Sequence, residues 1–126
     1  MDDRRLDDAD VLDYLAGQRL GRLATVDRHG APQNSPVGFR INRELGTIDI
    51  RGWNLTKSRK FRNLVHNDRV AFVVDDIASV TPWRVRMVEI RGRGEQVVGG
   101  TDPTDGIDDA LIRVHPERVI VYGIGD

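Results

Sequence analysis

Apolar residues recur along this chain mostly at every second position, in short runs broken by Gly, Pro, Asn and Asp, a pattern that predicts a mainly β domain. Near the N-terminus Leu12, Leu15 and Ala16 fall at helical spacing instead. Asp7 or Asp8 can cap that helix, with acidic side chains at its positive end, and Gly17 or Gly21 closes it. Arg22 to Asp27 alternates, Arg28-His29-Gly30 is a turn signal, and the next strand is predicted from about Gln33 to Asn42, completing a hairpin. On that second strand Ser35, Val37, Phe39 and Ile41 share one face, and Asn34, Pro36, Gly38 and Arg40 share the other. Pro36 cannot donate to a ladder and Gly38 carries no side chain, so an edge or irregular portion is expected here, met by a ligand or taken up by a bulge.

Asn42 to Gly46 reads as a turn and Thr47 to Arg51 as a strand with Ile48 and Ile50 inward. Phe61, Leu64 and Val65 repeat at helical spacing, predicting a short helix that starts near Thr56 to Ser58. Val70 to Val74 is a continuous apolar run, expected to be a strand buried on both faces. Asp75 to Pro82 reads as a polar loop. A long strand follows from Trp83 to about Val98; its apolar phase shifts from Val85 and Met87 to Val88 and Ile90, which predicts a bulge or two environments. Gly99 to Gly106 is a loop, and Leu111 to Val114 and Val119 to Tyr122 read as two strands divided by a turn at His115-Pro116. No internal repeat or linker interrupts residues 1–126, so a single domain is expected. Many short strands with two small helices predict a closed or partly closed antiparallel barrel, since closure removes vulnerable edges.

Composition narrows the chemistry. A chain of 126 residues builds one core but is small for a domain that also encloses a large ligand. A net charge of −1 gives no general drive toward nucleic acid or a membrane surface, so any anion site must be local. There is no cysteine, which excludes disulfides, thiolate nucleophiles and cysteine-ligated metals. Met1 to Asp10 is polar and acidic, no later stretch has the length of apolar sequence a membrane helix needs, and a soluble cytoplasmic protein is the expectation. The three histidines, His29, His66 and His115, lack metal-ligand spacing, and no nucleophile elbow or Walker loop is present.

What remains is the segment Gly52 to Asn63. Both lysines of the chain, Lys57 and Lys60, lie here, beside Arg59 and Arg62. These four cations fall in or beside the first turn of the predicted helix, where exposed N–H groups already make the end positive. An anion docked among the N–H groups and side chains would turn repulsion into attraction, as at phosphate sites on helix N-termini. A solvated basic face is the other reading of the same run. Trp53 adjoins this segment, and Trp83-Arg84-Val85-Arg86 places two more guanidinium groups on a strand. A flat, conjugated, phosphorylated ligand suits these residue types, as nucleic acid also would, and composition alone does not separate the two.

Three stretches resemble the pyridoxamine phosphate oxidase family, the flavin-binding split barrels: Gly30 to Val37, Trp53 to Lys60 ending in Ser58-Arg59-Lys60, and Asn67 to Phe72. Gln18 to Val26, Ser58 to Asn63, Phe72 to Asp76 with Pro82 to Arg86, and Ile112 to Val119 resemble its actinobacterial subgroup, whose coenzyme is the deazaflavin F420. The resemblance implies a split β-barrel, a six-stranded antiparallel Greek-key barrel with short helices, acting as a homodimer with two cofactor sites at the interface. It implies an oxidoreductase that uses F420, or FMN as the alternative, on a small conjugated acceptor; a non-catalytic F420 carrier is the other reading. By the family's pattern Ser58, Arg59 and Lys60, with Lys57 beside them, hold the cofactor phosphate. Positions matching Ser35, Pro36, Val37, Trp53 and Asn54 touch the flavin there. Ser35 stands where the family has an arginine, Asn54 where it has a threonine, and Met87 roughly where it has a flavin-contacting glutamine. Arg84 and Arg86, from the same chain or its partner, are candidates for charge on the acceptor or on the acidic tail of F420. No catalytic residue is assigned: solvent suffices as proton donor, and Tyr122 is one candidate. The C-terminal substrate-binding extension of the true pyridoxamine phosphate oxidases has no counterpart here, and their activity is not carried over.

Overall fold

The computed structural model describes residues 2–101 and 107–125. Its strands are β1 (Asp2–Arg4), β2 (Leu20–Val26), β3 (Pro32–Gly38), β4 (Arg40–Asn42), β5 (Thr47–Ile50), β6 (Arg69–Ser79), β7 (Arg84–Val98) and β8 (Ala110–Tyr122). Two helices, α1 (Ala9–Ala16) and α2 (Arg59–His66), and a 3-10 turn, Leu55–Lys57, complete it. All pairings are antiparallel, in the order β3-β2-β6-β7-β8-β5-β4, with β1 also on β8. The expectation of a mainly β antiparallel domain with two short helices holds. The expected six-stranded split barrel, closed or partly closed, differs in strand number and is not closed: the sheet has eight strands, and no ladder joins its end strands β3 and β4. Those two are one predicted strand broken at Phe39, so they follow each other end to end and cannot lie side by side. The segment pairs with β2 before Phe39 and with β5 after it, so the circuit is joined covalently at a corner. Phe39 turns inward there, edge-on to Phe72 with ring centroids 5.2 Å apart.

The core fills the concave face. Leu23, Ile48, Ile50, Phe72, Val74, Val88, Ile90, Ile112 and Val114 are fully buried. The predicted alternation on Gln33–Asn42 is observed: Val37 is buried, Ser35, Phe39 and Ile41 are partly buried, and Asn34, Pro36, Gly38 and Arg40 are exposed. β3 is an edge strand, as Pro36 and Gly38 predict. Several boundaries differ from the sequence reading. β6 alternates, with Val70, Phe72 and Val74 in and Ala71 and Val73 only partly buried, because one of its faces is not covered. It runs on through Asp75 and Asp76 to Ser79, where a loop was expected, because Asp75 to Ile77 stay in register with Met87 to Val85. No register shift falls at Met87, where a bulge or two environments was expected. One irregularity lies in β6 between Ile77 and Ser79, opposite Val85 and Arg84, and another in β8, where Arg91 faces Arg118 and Gly92 faces Pro116, leaving Glu117 as the extra residue. β8 is therefore one continuous strand, without the predicted turn at His115-Pro116. Gly92 is needed at that point, since a Cβ there would lie 2.0 Å from the His115 carbonyl oxygen. Residues 102–106 of the predicted Gly99 to Gly106 loop lie outside the described residues.

The helices close the two ends of the sheet. α1 buries Val11, Tyr14 and Leu15; Leu12 is only half-buried and Ala16 is exposed. Asp8 is its N-cap residue, but its carboxylate accepts from Arg4 Nε at 2.8 Å and the Arg5 N–H at 3.1 Å instead of from the helix. The Tyr14 hydroxyl donates to Asp76 Oδ1 at 3.0 Å. α2 buries Phe61 and Leu64, while Val65, expected inside, is exposed because two turns leave room for one apolar row. Its anchor is polar. The buried Asn63 amide donates to Thr25 Oγ1 at 3.0 Å and Gln33 Oε1 at 2.8 Å, fixing α2 over the β2–β3 hairpin, and Gln96 Nε2 donates to the Phe61 carbonyl at 2.7 Å. Among the described residues no helix is long and apolar enough to cross a membrane.

Two outcomes follow from these contacts. Asn63→Ala leaves buried acceptors unpaired and should cost about 1–3 kcal/mol in urea unfolding; a value near zero would mean that Asn63 does not anchor α2. Burial raises the Asp49 pKa, but hydrogen bonds from Arg113, Asn42 and Thr47 outweigh it and hold the carboxyl below its ordinary value. A folded-state pKa below the unfolded one means stability that is present above about pH 4 and lost as pH falls through the folded value. Asp49→Asn should therefore show a shallower loss of stability than the wild type between about pH 5 and about pH 2; identical slopes would remove Asp49 as a source of acid sensitivity.

Candidate functional site

The basic segment is built from β5 outward. After Ile50 the chain leaves the sheet, and Asn54 takes a left-handed conformation (φ 51°, ψ 38°) that an Asn tolerates better than most residues. The Lys57 N–H then closes on the Asn54 carbonyl at 3.0 Å, and Leu55, fully buried, pins the turn to the core. Thr56 is tied from outside: its N–H and hydroxyl both donate to Asp108 Oδ2 at 3.1 Å. Ser58 is the N-cap of α2, as the sequence predicts. Its hydroxyl accepts from the Phe61 N–H at 3.3 Å and donates to the Leu55 carbonyl at 2.6 Å. The Arg59 and Lys60 N–H groups, at the first two helical positions, have no intrahelical acceptor.

The predicted cations surround that end. Lys57, Arg59 and Arg62 are exposed and Lys60 is half-buried. Among the described residues none of the four forms an ion pair; Arg62 Nε reaches only the Ser58 carbonyl, at 3.4 Å. Arg59 acts on Asp27, which is held below its ordinary pKa first by the Ala31 and His29 N–H groups, with Arg59 a minor contributor. Trp53 is 71% exposed beside this segment, and Asn54 is exposed as well. The Asn63–Gln33 bond ties α2 to β3 two residues before Ser35, so the α2 end and the open edge carrying Ser35, Pro36 and Val37 belong to the same end of the molecule.

Arg84 and Arg86 lie elsewhere. Gly94 of β7 packs under Leu64 of α2, and Arg84 is ten residues back along the same strand, about 30 Å away at strand rise. Arg86 is already engaged: its guanidinium grips Asp76 through two hydrogen bonds, one Nε to Oδ1 at 2.9 Å and one Nη2 to Oδ2, and lies 5.1 Å over the Tyr14 ring. Asp76 is held below its ordinary pKa by Arg86 first, with help from Tyr14 and Gln18. The Tyr14 hydroxyl is raised, by burial and then by Asp76. Arg84 is exposed without a carboxylate partner among the described residues and lines a cleft of about 590 Å³ with Trp83 and Tyr122. Within one chain, then, these two arginines and the α2 cluster form separate places.

Sequence reasoning missed Asn63, whose burial depends on strands far away in the chain, and Asp108, which pairs across 52 residues. It also missed Arg51, which lines the cleft between β4 and β5. Among the described residues no group of His, Asp or Glu could hold a metal ion.

Residues 8–121 match the pyridoxamine 5'-phosphate oxidase family. A 5a,11a-dehydrotetracycline/5a,11a-dehydrooxytetracycline reductase of Streptomyces rimosus subsp. rimosus is 49% identical over 112 residues, covering 88% of this chain and 79% of that one. Among solved structures, the conserved hypothetical protein Rv2991 from Mycobacterium tuberculosis has a TM-score of 0.74 at 20% identity, over 93% of this chain and 84% of its own. That likeness speaks for the fold alone. An F420 reductase has a TM-score of 0.63 at 26% identity, over 82% of this chain and 90% of its own. The fold, the Ser58-Arg59-Lys60 helix start and the match along most of the sequence agree: the chain belongs to the pyridoxamine 5'-phosphate oxidase family and is an oxidoreductase.

Proposed function

We propose that this protein is an F420-dependent reductase that acts as a homodimer on a small conjugated acceptor. The observation that carries the reading is the set of four cations at the start of α2, unpaired among the described residues, around two N–H groups without an intrahelical acceptor. A helix end of that sign is stabilised by a phosphate and by little else in this chain. Similarity to a reductase and to an F420 reductase structure supports the choice of reaction and coenzyme.

In this reading Arg59 and Lys60, with Lys57, Ser58 and the free N–H groups, hold the coenzyme phosphate. The β3 edge at Ser35, Pro36 and Val37 borders the ring with backbone groups that no neighbouring strand uses, and Trp53 and Asn54 flank it. Bound there, reduced F420 supplies a hydride to the electron-poor carbon of the acceptor. The protein's part is to bind, to orient and to exclude water. The flat exposure of Trp53 and of the α2 cations on one chain fits half of a site that a twofold partner completes. A partner would also bring Arg84 to a site that its own chain cannot reach, whereas Arg86 stays with Asp76.

Mixing the protein with F420 and, separately, with FMN decides the coenzyme: F420 is expected to bind tightly and FMN weakly, and tight binding of FMN alone would replace this reading with an FMN-dependent oxidoreductase. Oxidation of reduced F420 with a panel of quinones, enones and tetracycline-like compounds is expected; a wholly negative panel would make the protein a carrier. Arg59→Ala and Lys60→Ala should each weaken coenzyme binding by about 1.5–3 kcal/mol, roughly tenfold or more, with the urea midpoint unchanged. Unchanged affinity in both would place the phosphate elsewhere.

A further inference from the structure

We propose that the cleft between β4, β5 and the start of β8 is a binding site for an apolar organic anion, with Arg51 as its anchor. The cleft has a volume of about 740 Å³, within the range of small-molecule sites, and Phe39, Ile41, Ile107 and Leu111 supply apolar wall. Arg51 lines it. Its Nε and Nη2 atoms are buried and have no hydrogen-bond partner among the described residues, an arrangement that buried polar groups rarely show without a cause.

Among the described residues, the aspartates near Arg51 are engaged elsewhere. Asp49, also on the cleft wall, takes Arg113 Nε at 3.1 Å and Nη2 at 3.3 Å, Asn42 Nδ2 at 3.0 Å and Thr47 Oγ1 at 2.9 Å. Asp109, near enough for the Arg51 charge to help lower its pKa, accepts from the Thr101 N–H and hydroxyl. Asp108 accepts from Thr56. Arg40 and Arg43 stand at the same cleft with no carboxylate partner among the described residues, and Glu44 is the single acid there left unpaired. Among the described residues three cations stand against one uncommitted acid, on apolar walls, which favours a ligand with an apolar body and a negative group. That group would meet Arg51 through Nη1 and compensate the charge of the two enclosed nitrogens.

The cleft continues from the groups assigned to the coenzyme. Gly38 follows Val37 directly, and Arg51 precedes Trp53 by two residues, at most about 7 Å of extended chain. An anionic conjugated acceptor held by Arg51 would therefore lie beside the ring. That role rests on the reductase reading above; the anion preference stands on the cleft alone.

The test uses two fluorescent probes with the same apolar body, 1-anilinonaphthalene-8-sulfonate and the uncharged N-phenyl-1-naphthylamine, titrated into wild type, Arg51→Met and Arg28→Gln, a change in a distant turn. The sulfonate should bind Arg51→Met roughly tenfold more weakly than wild type and Arg28→Gln equally well, while the uncharged probe should not distinguish the three. Equal sulfonate affinity for wild type and Arg51→Met, or equal loss of both probes, would overturn the site. F420 affinity should be the same in wild type and Arg51→Met; a parallel loss would make Arg51 part of the coenzyme site and overturn the separate one. Thermal unfolding of Arg51→Met should be unchanged or shifted upward, because an uncompensated guanidinium is removed; a fall of several degrees would show that Arg51 supports the fold and would end the argument. If wild type binds the sulfonate through Arg51 but binds no F420, the coenzyme reading fails and the cleft assignment stands.

Discussion

The whole arrangement depends on a corner. β3 and β4 are the two ends of the sheet and are also consecutive in the chain, with Phe39 between them. The sheet must therefore curl until its ends meet, and the curl creates the enclosed face on which Phe72, Val88, Ile90 and Ile112 pack. A second result is that β3 keeps one side without a strand. In a flat sheet such an edge would invite pairing with another molecule. Here Pro36 and the polar Asn34 blunt it, and α2 is fastened beside it by Asn63.

Charge is distributed with the same economy. Eight of the seventeen arginines have a carboxylate within hydrogen-bond reach among the described residues, for example Arg4 with Asp8 and Asp10, Arg22 with Asp75, Arg86 with Asp76, Arg93 with Asp68 and Glu117, and Arg113 with Asp49. Exposed pairs of this kind add little stability, but they show how readily this sequence supplies a partner where none but itself is needed. Among the places without such a partner in the described residues are the cations around Ser58 and the guanidinium of Arg51, whose Nε and Nη2 are also buried. One is open and presented on a helix end; the other is enclosed in an apolar cleft. The difference in setting matches a phosphate in the first case and a larger, greasier anion in the second.

Much of this was readable from the residues. The strand alternation from Gln33 to Asn42, the turn at Gly30, the Ser58 cap and the clustering of Lys57 to Arg62 are local properties, and each is found where the pattern places it. What escaped is non-local. Nothing near Asp75 and Asp76 in sequence shows that Arg22 and Arg86 will receive them, so a strand read as a loop. β8 read as two strands because His115-Pro116 looks like a turn, and its apolar phase also switches, with Ile112 and Val114 at even positions and Val119 and Val121 at odd ones. The switch is real, but its cause is one extra residue opposite Gly92 and not a turn. Likewise Arg51 looks like any arginine after a strand; its isolation depends on which carboxylates Arg113, Thr101 and Thr56 have already taken.

That extra residue also decides what β8 can join. Before it the strand's free side meets β5 through Ile112 to Val114, and after it the same side meets β1 through Val119 to Val121. Because parity resets between the two halves, each presents its branched side chains to the interior while serving a different neighbour. Losing a single amino acid between His115 and Arg118 would thus invert one half, exchanging the face of Val119 and Val121 with that of Ile120, which is itself buried. Gain or loss of two would keep the faces. Length variation among natural versions of this strand should accordingly come in even steps.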